Sequence, residues 1–420
     1  MDNDAQWNSS ADPESRSTGD ASAACMSFDK EILALPFYES RHLAQAERID
    51  EWCRAHADLW KEPDDDLRQR TGRRILRALG DGGWFGFLEP DAAPEVVREG
   101  DFRSLCLMRE ALAYADDLAD YAFSIQAISA MPILRHGSQA QQLRYLPRMA
   151  TGELAGSFAL SEEGAGSDVS AIGLRAEKVS DGYVLNGAKA WVANGSIADV
   201  HCVIARSGEG PGALGLTAFL VEASVPGVRV QKSVRTIAPR SIANLAFEDC
   251  RLSGKDVLGA PGRGFVVAMD MLERFRMTVG AAALGFGRRA ADATLARAKS
   301  RPMRDGRLFD LQLVRAMLAD VEVKLNATAL LVARAAWEVD HGNARFPKHS
   351  SIAKLYATEA AQEIVDTAVQ VFGAAGLVQD SVPEQLYRQI RSLRIYEGAS
   401  EVQKMIIADT LGMRRANREA

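Results

Sequence analysis

The feature that most constrains the fold is a change of hydrophobic period that happens twice. Across 28–154, apolar residues recur at three- and four-residue spacing. That spacing predicts amphipathic helices over 43–56, 67–79, 105–114 and 122–134. Gly82-Gly83, Glu89-Pro90 and His136-Gly137 break the pattern. Ser138 is placed to cap a Gln-rich helix expected to end at Leu146-Pro147. Across 155–262 the period becomes two. Strands are expected at 200–205, 216–221, 228–234 and 242–247. Tyr183–Leu185 and Ala188–Ala193 read as a hairpin about an Asn186-Gly187 turn, with Asp181-Gly182 turning just ahead of it. Beyond Gly262 the helical period returns, at 265–299, 311–341, 352–372, 383–393 and 400–411. The layout is α, then β, then α, with no internal repeat. It implies an α+β chain: a helical domain over 28–154, a small β sandwich or barrel over 155–262, and a helical bundle over 263–420.

Composition removes several function classes. The 420 residues are 47% hydrophobic and 25% charged, which is ordinary for globular chains and enough for two or three cores. The formal net charge is −6, and no basic face with interleaved aromatics is visible, so nucleic acid is not expected as a partner. The five cysteines (Cys25, Cys53, Cys106, Cys202 and Cys250) show no zinc or CxxC spacing, so no metal is expected and reduced buried thiols are. No apolar run reaches the roughly 18 residues of a membrane span. Residues 1–27 have no hydrophobic centre and Arg16 as their only basic side chain. They read as a disordered tail rather than an export or mitochondrial leader, which points to a cytoplasmic location with no membrane partner.

Four segments carry chemistry. Leu160 to Asp168 runs from a strand into a loop with Gly164, Gly166 and Ser167, whose amides and hydroxyls suit a phosphate or a carbonyl; an ordinary surface loop is the plainer reading. Ala188 to Gly195 sets Trp191 in a strand beside a turn, a core position by default, with an aromatic stacked on a flat cofactor as the lesser reading. Gly285-Phe286-Gly287-Arg288-Arg289-Ala290 fits a dinucleotide fingerprint only on paper. It lies inside a helical pattern with no strand before it, so close helix packing explains the glycines better. In Ile395 to Gln403, Ser400 and Gln403 are spaced as a capping box. Glu397 follows two large apolar side chains, and partial desolvation there would raise its pKa toward that of a general base; a solvated loop carboxylate is the plainer reading. Gly398 permits close approach to the backbone.

Taken in order, these segments resemble the acyl-CoA dehydrogenase family over about residues 35–413. Leu160–Asp168 is similar to the family's T/S-E-P-G-A-G-S-D loop. Asn186–Trp191 resembles N-G-x-K-x-W, Val369–Gly376 resembles Q-x-x-G-G-x-G, and Ile395–Gln403 resembles I-Y-E-G-T-S-E-I-Q. The resemblance implies an N-terminal helical domain, a central β-barrel or sandwich, a C-terminal four-helix bundle, and FAD completed by a neighbouring subunit of a homotetramer or dimer. It implies removal of an α-proton by Glu397 and transfer of a β-hydride to the flavin. The thioester carbonyl would then be bound by a flavin hydroxyl and the Glu397 main-chain N–H. Arg276 matches an arginine beside the base and the thioester, with a structural salt bridge as the competing role. The base of some relatives falls here at Phe275, which accepts no proton, with Glu273 two positions early. Phe158, Leu160, Ser161, Trp191 and Ala193 match flavin contacts. Ser167 matches a flavin- or substrate-contacting serine, and Gly398 stands where substrate passes. Ala399 and Glu401 flank the base on the cofactor side. Arg301, Gln312, Gln370, Gly373 and Ala374 match partner-subunit contacts to the ADP half of FAD. The implied partners are an acyl-CoA or acyl-carrier thioester and an electron-transfer flavoprotein. An oxidase and a flavin-free binding protein of the same fold are the alternatives.

Four departures from the family pattern stand out. Glu163 replaces a Pro, Ala193 a Thr or Ser near the flavin, and Ala399 a Thr. The family's R-x-x-F-G reads Arg301-Pro302-Met303-Arg304-Asp305, with Arg304 in place of an aromatic.

Overall fold

The structure is a computed structural model that describes residues 28–60, 67–88, 101–208, 210–238, 240–344 and 346–419. The 1–27 tail and the Glu89-Pro90 break lie outside the described residues.

The expected helices form where the apolar stripes are. They are α1 (Lys30–Leu33), α2 (Ser40–Ala55), α3 (Leu67–Asp81), α4 (Phe102–Ala115), α5 (Asp117–His136) and α6 (Gln139–Ala150). Asp116 caps α5 by accepting from the Leu118 amide at 2.7 Å. Ser138 and Gln141 close a reciprocal capping box on α6, satisfying amides the helix leaves bare. The helix does not stop at Pro147 as expected, but runs on to Ala150. Proline removes one donor near the end of the helix, and the turn continues because Thr151 still donates to the Pro147 carbonyl.

The strands are β1 (Gly156–Ala159), β2 (Arg175–Val179), β3 (Gly182–Ala193), β4 (Val200–Arg206), β5 (Leu216–Glu222), β6 (Val228–Val234), β7 (Ile242–Ser253) and β8 (Val257–Leu258). They join in one mixed sheet of order β6-β7-β3-β2-β4-β5-β8, with β1 parallel to β4. Parallel pairing of β2 with β4 rests on Arg175 opposite Arg206, so the sheet folds there into two leaves. Leu185, Leu245 and Phe247 from one leaf meet Val203, Phe219 and Val221 from the other in a common core.

The Asn186-Gly187 hairpin is not there. β3 runs straight through both residues, and its ladder with β7 slips between Leu185 and Gly187. Gly187 adopts a φ of 140°, and Asn186 exchanges hydrogen bonds with Asp249 across the irregularity. The dipeptide that signals a two-residue turn makes a bulge instead. The true turn is at 180–181, between β2 and β3.

The C-terminal helices are α7 (Gly264–Ser300), α8 (Gln312–Asp340), α9 (Phe346–Phe372), α10 (Val382–Ile390) and α11 (Ser400–Glu419). α9 starts earlier than its apolar pattern because Pro347 suits a first turn, where no amide partner is needed. Gly285 lies in mid-α7, where an added Cβ would come 2.1 Å from the Glu110 carbonyl of α4. The glycine serves helix contact, not a nucleotide. One apolar core runs without a break from Phe28 through α4 and α5 into Met277 of α7 and Ala353 of α9. Cys53, Cys106, Cys202 and Cys250 are free and buried. Among the described residues no helix is long and apolar enough to cross a membrane.

Candidate active site

Where the sheet meets α4, α5 and the 390–397 segment lies a cavity of about 270 Å³. One wall is built by the end of β1 and the bulged part of β3: Phe158, Leu160, Ser161, Trp191 and Ala193. The two segments are tied by the Ala190 amide, which donates to the Ser161 carbonyl at 2.9 Å. The β3–β7 ladder slips again between Lys189 and Val192. Trp191 sits in that slip with a φ of 53°, and Asn244 Oδ1 accepts its amide at 3.1 Å in place of a ladder bond. The result turns the indole out of the sheet, 53% exposed. This is no core tryptophan. A half-exposed indole beside a flat strand wall fits the ring system of a flavin.

Glu397 lines the same cavity. It follows a 3-10 turn over Arg391–Arg394 and is left-handed at φ 53°, followed by Gly398 at φ 89°. Two such residues in succession bend the chain sharply, a conformation that costs a glutamate energy. The bend is held from below. Lys354 Nζ and Gln403 Nε2 both donate to the Gly398 carbonyl, at 2.7 and 2.8 Å. The capping box expected of Ser400 and Gln403 does not form. The Ser400 hydroxyl donates instead to the Glu359 carboxylate at 2.6 Å, a charge-assisted hydrogen bond. Gln403, freed from that role, clamps the loop carbonyls. An added Cβ on Gly398 would strike its amide at 2.5 Å.

The Glu397 Oε2 atom is buried without a protein partner. Burial pushes the carboxyl up to about 7, against the pull of Arg109, Lys354 and Arg276. Lys354 is fully buried, and burial lowers its ammonium to about 8 while Glu397 acts to raise it. Arg276, on α7, is also buried, and its Nε and Nη1 have no protein partner. Burial lowers its pKa, opposed by Glu273 and Glu397. Arg276 does not line the cavity, but its charge acts on Glu397, and the bare buried atoms on both mark a place that a ligand can complete. Phe275 is core, 1% exposed and edge-on to Phe102. Glu273 is held above its ordinary range by burial and is not part of the cavity lining.

Other predicted residues lie elsewhere. Ser167 is exposed in a loop closed by the bridge between Glu162 and Ala165. Ala399 is half-buried behind the base, and Glu401 is exposed on the first turn of α11. Arg301 caps the C-terminal end of α7. It is about 25 residues from Arg276, roughly 37 Å along the axis at 1.5 Å per residue. Gly373 approaches it, an added Cβ standing 3.9 Å from Arg301 Nη1. Gln370, Gly373 and Ala374 at the end of α9, and Gln312 at the start of α8, are exposed around the small core of Ala298, Leu308, Val314 and Val371. This group and the cavity cannot serve one flavin within one chain. Arg304 is an exposed hairpin residue with a φ of 51°.

Sequence reasoning missed the most heavily charged part of the lining. Arg109, Asp120 and Arg240 border the cavity together with Tyr121, Ser124 and Tyr396. Arg109 shows a signal in retrospect: it shares the buried stripe of α4 with Leu105 and Leu112, and an ionisable group on an apolar stripe is rarely idle. Arg240 stands in an irregular connection with no period to betray it.

Residues 39–153, 157–250 and 262–412 match the N-terminal, middle and C-terminal domains of acyl-CoA dehydrogenases. The chain is similar to the 3-(aryl)acrylate reductase of Clostridium sporogenes, 34% identical over 87% of this chain and 98% of the relative. It is 35% identical to the mitochondrial short-chain specific acyl-CoA dehydrogenase of Mus musculus, over 78% of this chain and 81% of the relative. The solved structure of PigA with FAD and proline superimposes with a TM-score of 0.80 at 27% identity, covering 90% of this chain and all of that one. The chain belongs to the acyl-CoA dehydrogenase family, whose members are flavin-dependent oxidoreductases.

Proposed function

We propose that this enzyme oxidises the α,β carbon–carbon bond of an acyl-CoA thioester to the 2,3-enoyl thioester, with Glu397 as the base. The observation that carries the reading is the bare Glu397 carboxylate, buried in a cavity beside a strand wall and poised near 7. A general base works best when its pKa lies near the operating pH. Phe158, Leu160, Ser161, Trp191 and Ala193 would hold the FAD ring system, and FAD bound there supplies the acceptor for the β-hydride. Glu397 takes the α-proton onto Oε2. Its own main-chain N–H is assigned to the thioester carbonyl, where a donor steadies the developing negative charge. Arg276 keeps positive charge beside the base and stabilises its ionised form. Lys354 and Gln403 hold the bend that aims it.

Arg301, Gln312, Gln370, Gly373 and Ala374 lie too far along the bundle to reach the same flavin. Their assignment to the ADP half of FAD in a neighbouring copy supports a homodimer or tetramer. Arg301→Ala is then expected to lower flavin retained per chain after gel filtration, measured by absorbance; unchanged retention would detach this cluster from FAD. Ser167, Gly398, Ala399 and Glu401 stand outside the cavity lining, and their proposed contacts to flavin or substrate rest on the family resemblance alone. An electron-transfer flavoprotein is the proposed physiological acceptor.

A second reading follows from the aryl-acrylate reductase likeness. The same groups would run the reaction backward: protonated Glu397 returns a proton to the α-carbon of an enoyl substrate, and FAD, reduced beforehand by an electron donor, would supply the hydride for the β-carbon. The test is the visible spectrum under exclusion of oxygen. Bleaching of the oxidised flavin by a saturated acyl-CoA supports dehydrogenation. Reoxidation of chemically reduced flavin by an arylacryloyl thioester, with no bleaching by any saturated one, supports reduction. No flavin even after FAD is added would defeat both.

A further inference from the structure

The cavity wall formed by α4, α5 and the β6–β7 connection carries two buried ion pairs among apolar side chains such as Ile125, Ile128 and Ile237. Arg109 and Asp120 face each other in a bidentate pair, Nε and Nη2 each 2.8 Å from a carboxylate oxygen, and Arg109 Nη1 donates to Thr278 Oγ1 at 3.0 Å. Arg240 pairs with Asp117, donates to Ser392 Oγ at 3.0 Å, and lies 5.7 Å from the centres of the Tyr121 and Tyr396 rings. Arg109 and Asp120 are each 2% exposed. These groups are fixed by packing and cannot turn away from whatever enters.

We infer that the chamber is built for a short acyl group carrying a hydrogen-bonding oxygen at its far end, not for a plain alkyl chain. The inference rests on the reading that the cavity receives an acyl thioester. The physical ground is donor capacity. A guanidinium carries five N–H bonds, and the contacts above engage three of those on Arg109. An oxygen-bearing end can accept from the two that remain. A methyl end cannot, and a buried donor left bare is costly. Ser124 and Tyr396 add hydroxyls to the same wall, whereas the Tyr121 hydroxyl is already taken by the Ser241 carbonyl and the Asn194 amide. A site with built-in hydrogen-bonding groups discriminates strongly against analogues that lack the matching atom.

The experiment compares two CoA thioesters with equal numbers of heavy atoms, 4-hydroxybutanoyl and pentanoyl. FAD-loaded protein is titrated with each by calorimetry without oxygen, and flavin bleaching is followed in parallel. The expected result is at least about tenfold tighter binding of the hydroxy compound. The second arm uses Arg109→Met with Asp120→Leu, which removes both charges together and leaves neither stranded. There the preference is expected to collapse or invert. Equal or tighter binding of pentanoyl-CoA by the unaltered enzyme overturns the inference, and a preference that survives the double substitution overturns its assignment to this wall. If the double variant does not fold, as judged by circular dichroism, the ratio for the unaltered enzyme decides alone. Preferential binding without bleaching upholds the polar wall and defeats the dehydrogenase reading. Binding of neither defeats both.

Discussion

Two glutamates border this cavity region, and the protein treats them in opposite ways. Glu162, next to the lining residue Ser161, accepts from the Gly173 and Leu174 amides at 2.8 and 3.0 Å and from Lys189 Nζ at 2.7 Å. Burial acts to raise its pKa, but Lys189 and the amides outweigh it and hold the carboxyl below the usual range. Glu397 is buried too, yet one of its oxygens has no protein partner and its pKa goes up. Desolvation is common to both; hydrogen bonds separate them. A carboxylate saturated with donors becomes a strut, and one denied them stays available for a proton. The difference was not visible in residue type. It lies in Lys189 and in the backbone amides that the fold brings to Glu162.

The largest expected effect comes from abolishing the bare carboxylate. Glu397→Gln is expected to cut the rate of flavin bleaching by roughly 10² to 10⁴, the usual share of a general base, with FAD content unchanged. Near-normal turnover would remove Glu397 from the mechanism. Next, Lys189→Met leaves Glu162 without its cation. We expect a loss of about 2–3 kcal/mol in a denaturant titration, below the full range for a broken buried pair because Glu162 keeps some contact with water. An unchanged midpoint would mean that the two amides suffice. Third, the bleaching rate of the unaltered enzyme is expected to rise with pH through a midpoint of about 7. Lys354→Met is expected to move that midpoint upward, since a cation that favours the ionised base is gone. A midpoint that stays put would make Lys354 a purely mechanical support.

The last effect concerns stability, is of the same order as that of Lys189→Met, and has a sign opposite to that of activity. Glu397 is raised above its unfolded value near 4.5. Its contribution to stability is therefore complete below that value and is lost as pH rises through about 7. Glu397→Gln does not titrate, so the melting temperature of the variant should gain on that of the unaltered enzyme between pH 5 and pH 8. A constant difference would show that the carboxyl does not titrate in that window.

The helices were legible because their stripes are long and regular, as in 265–299 for α7. Strands 228–234 and 200–205 were legible from alternation and turn signals. What failed was punctuation. Asn186-Gly187 makes a turn only where the chain must reverse, and here β7 pairs with β3 on both sides of it. Ser400 and Gln403 have the spacing of a box, but Glu359 and the carbonyls of the base loop offered better partners, and those come from tertiary structure. Glu397 and Trp191 were singled out because each lies in a contiguous segment that resembles a family motif, and the structure sets both on one cavity with Phe158, Leu160 and Ser161. Arg109, Asp120 and Arg240 belong to three separate elements. Only folding makes them one wall, so no local spacing announced them.

The buried cysteines give this protein a set of internal clocks. Cys53 lies on α2, Cys106 on α4, Cys202 on β4 and Cys250 on β7. Burial pushes the Cys202 thiol up to about 12 and the Cys250 thiol to about 11, so in the native state few molecules present a reactive thiolate. Each sulfur becomes available to an alkylating reagent only when its own element opens. Timed alkylation followed by peptide mass mapping would therefore rank the helical and sheet portions by how often they come apart, without a single mutation, and would show whether added FAD slows the sheet alone or the whole chain.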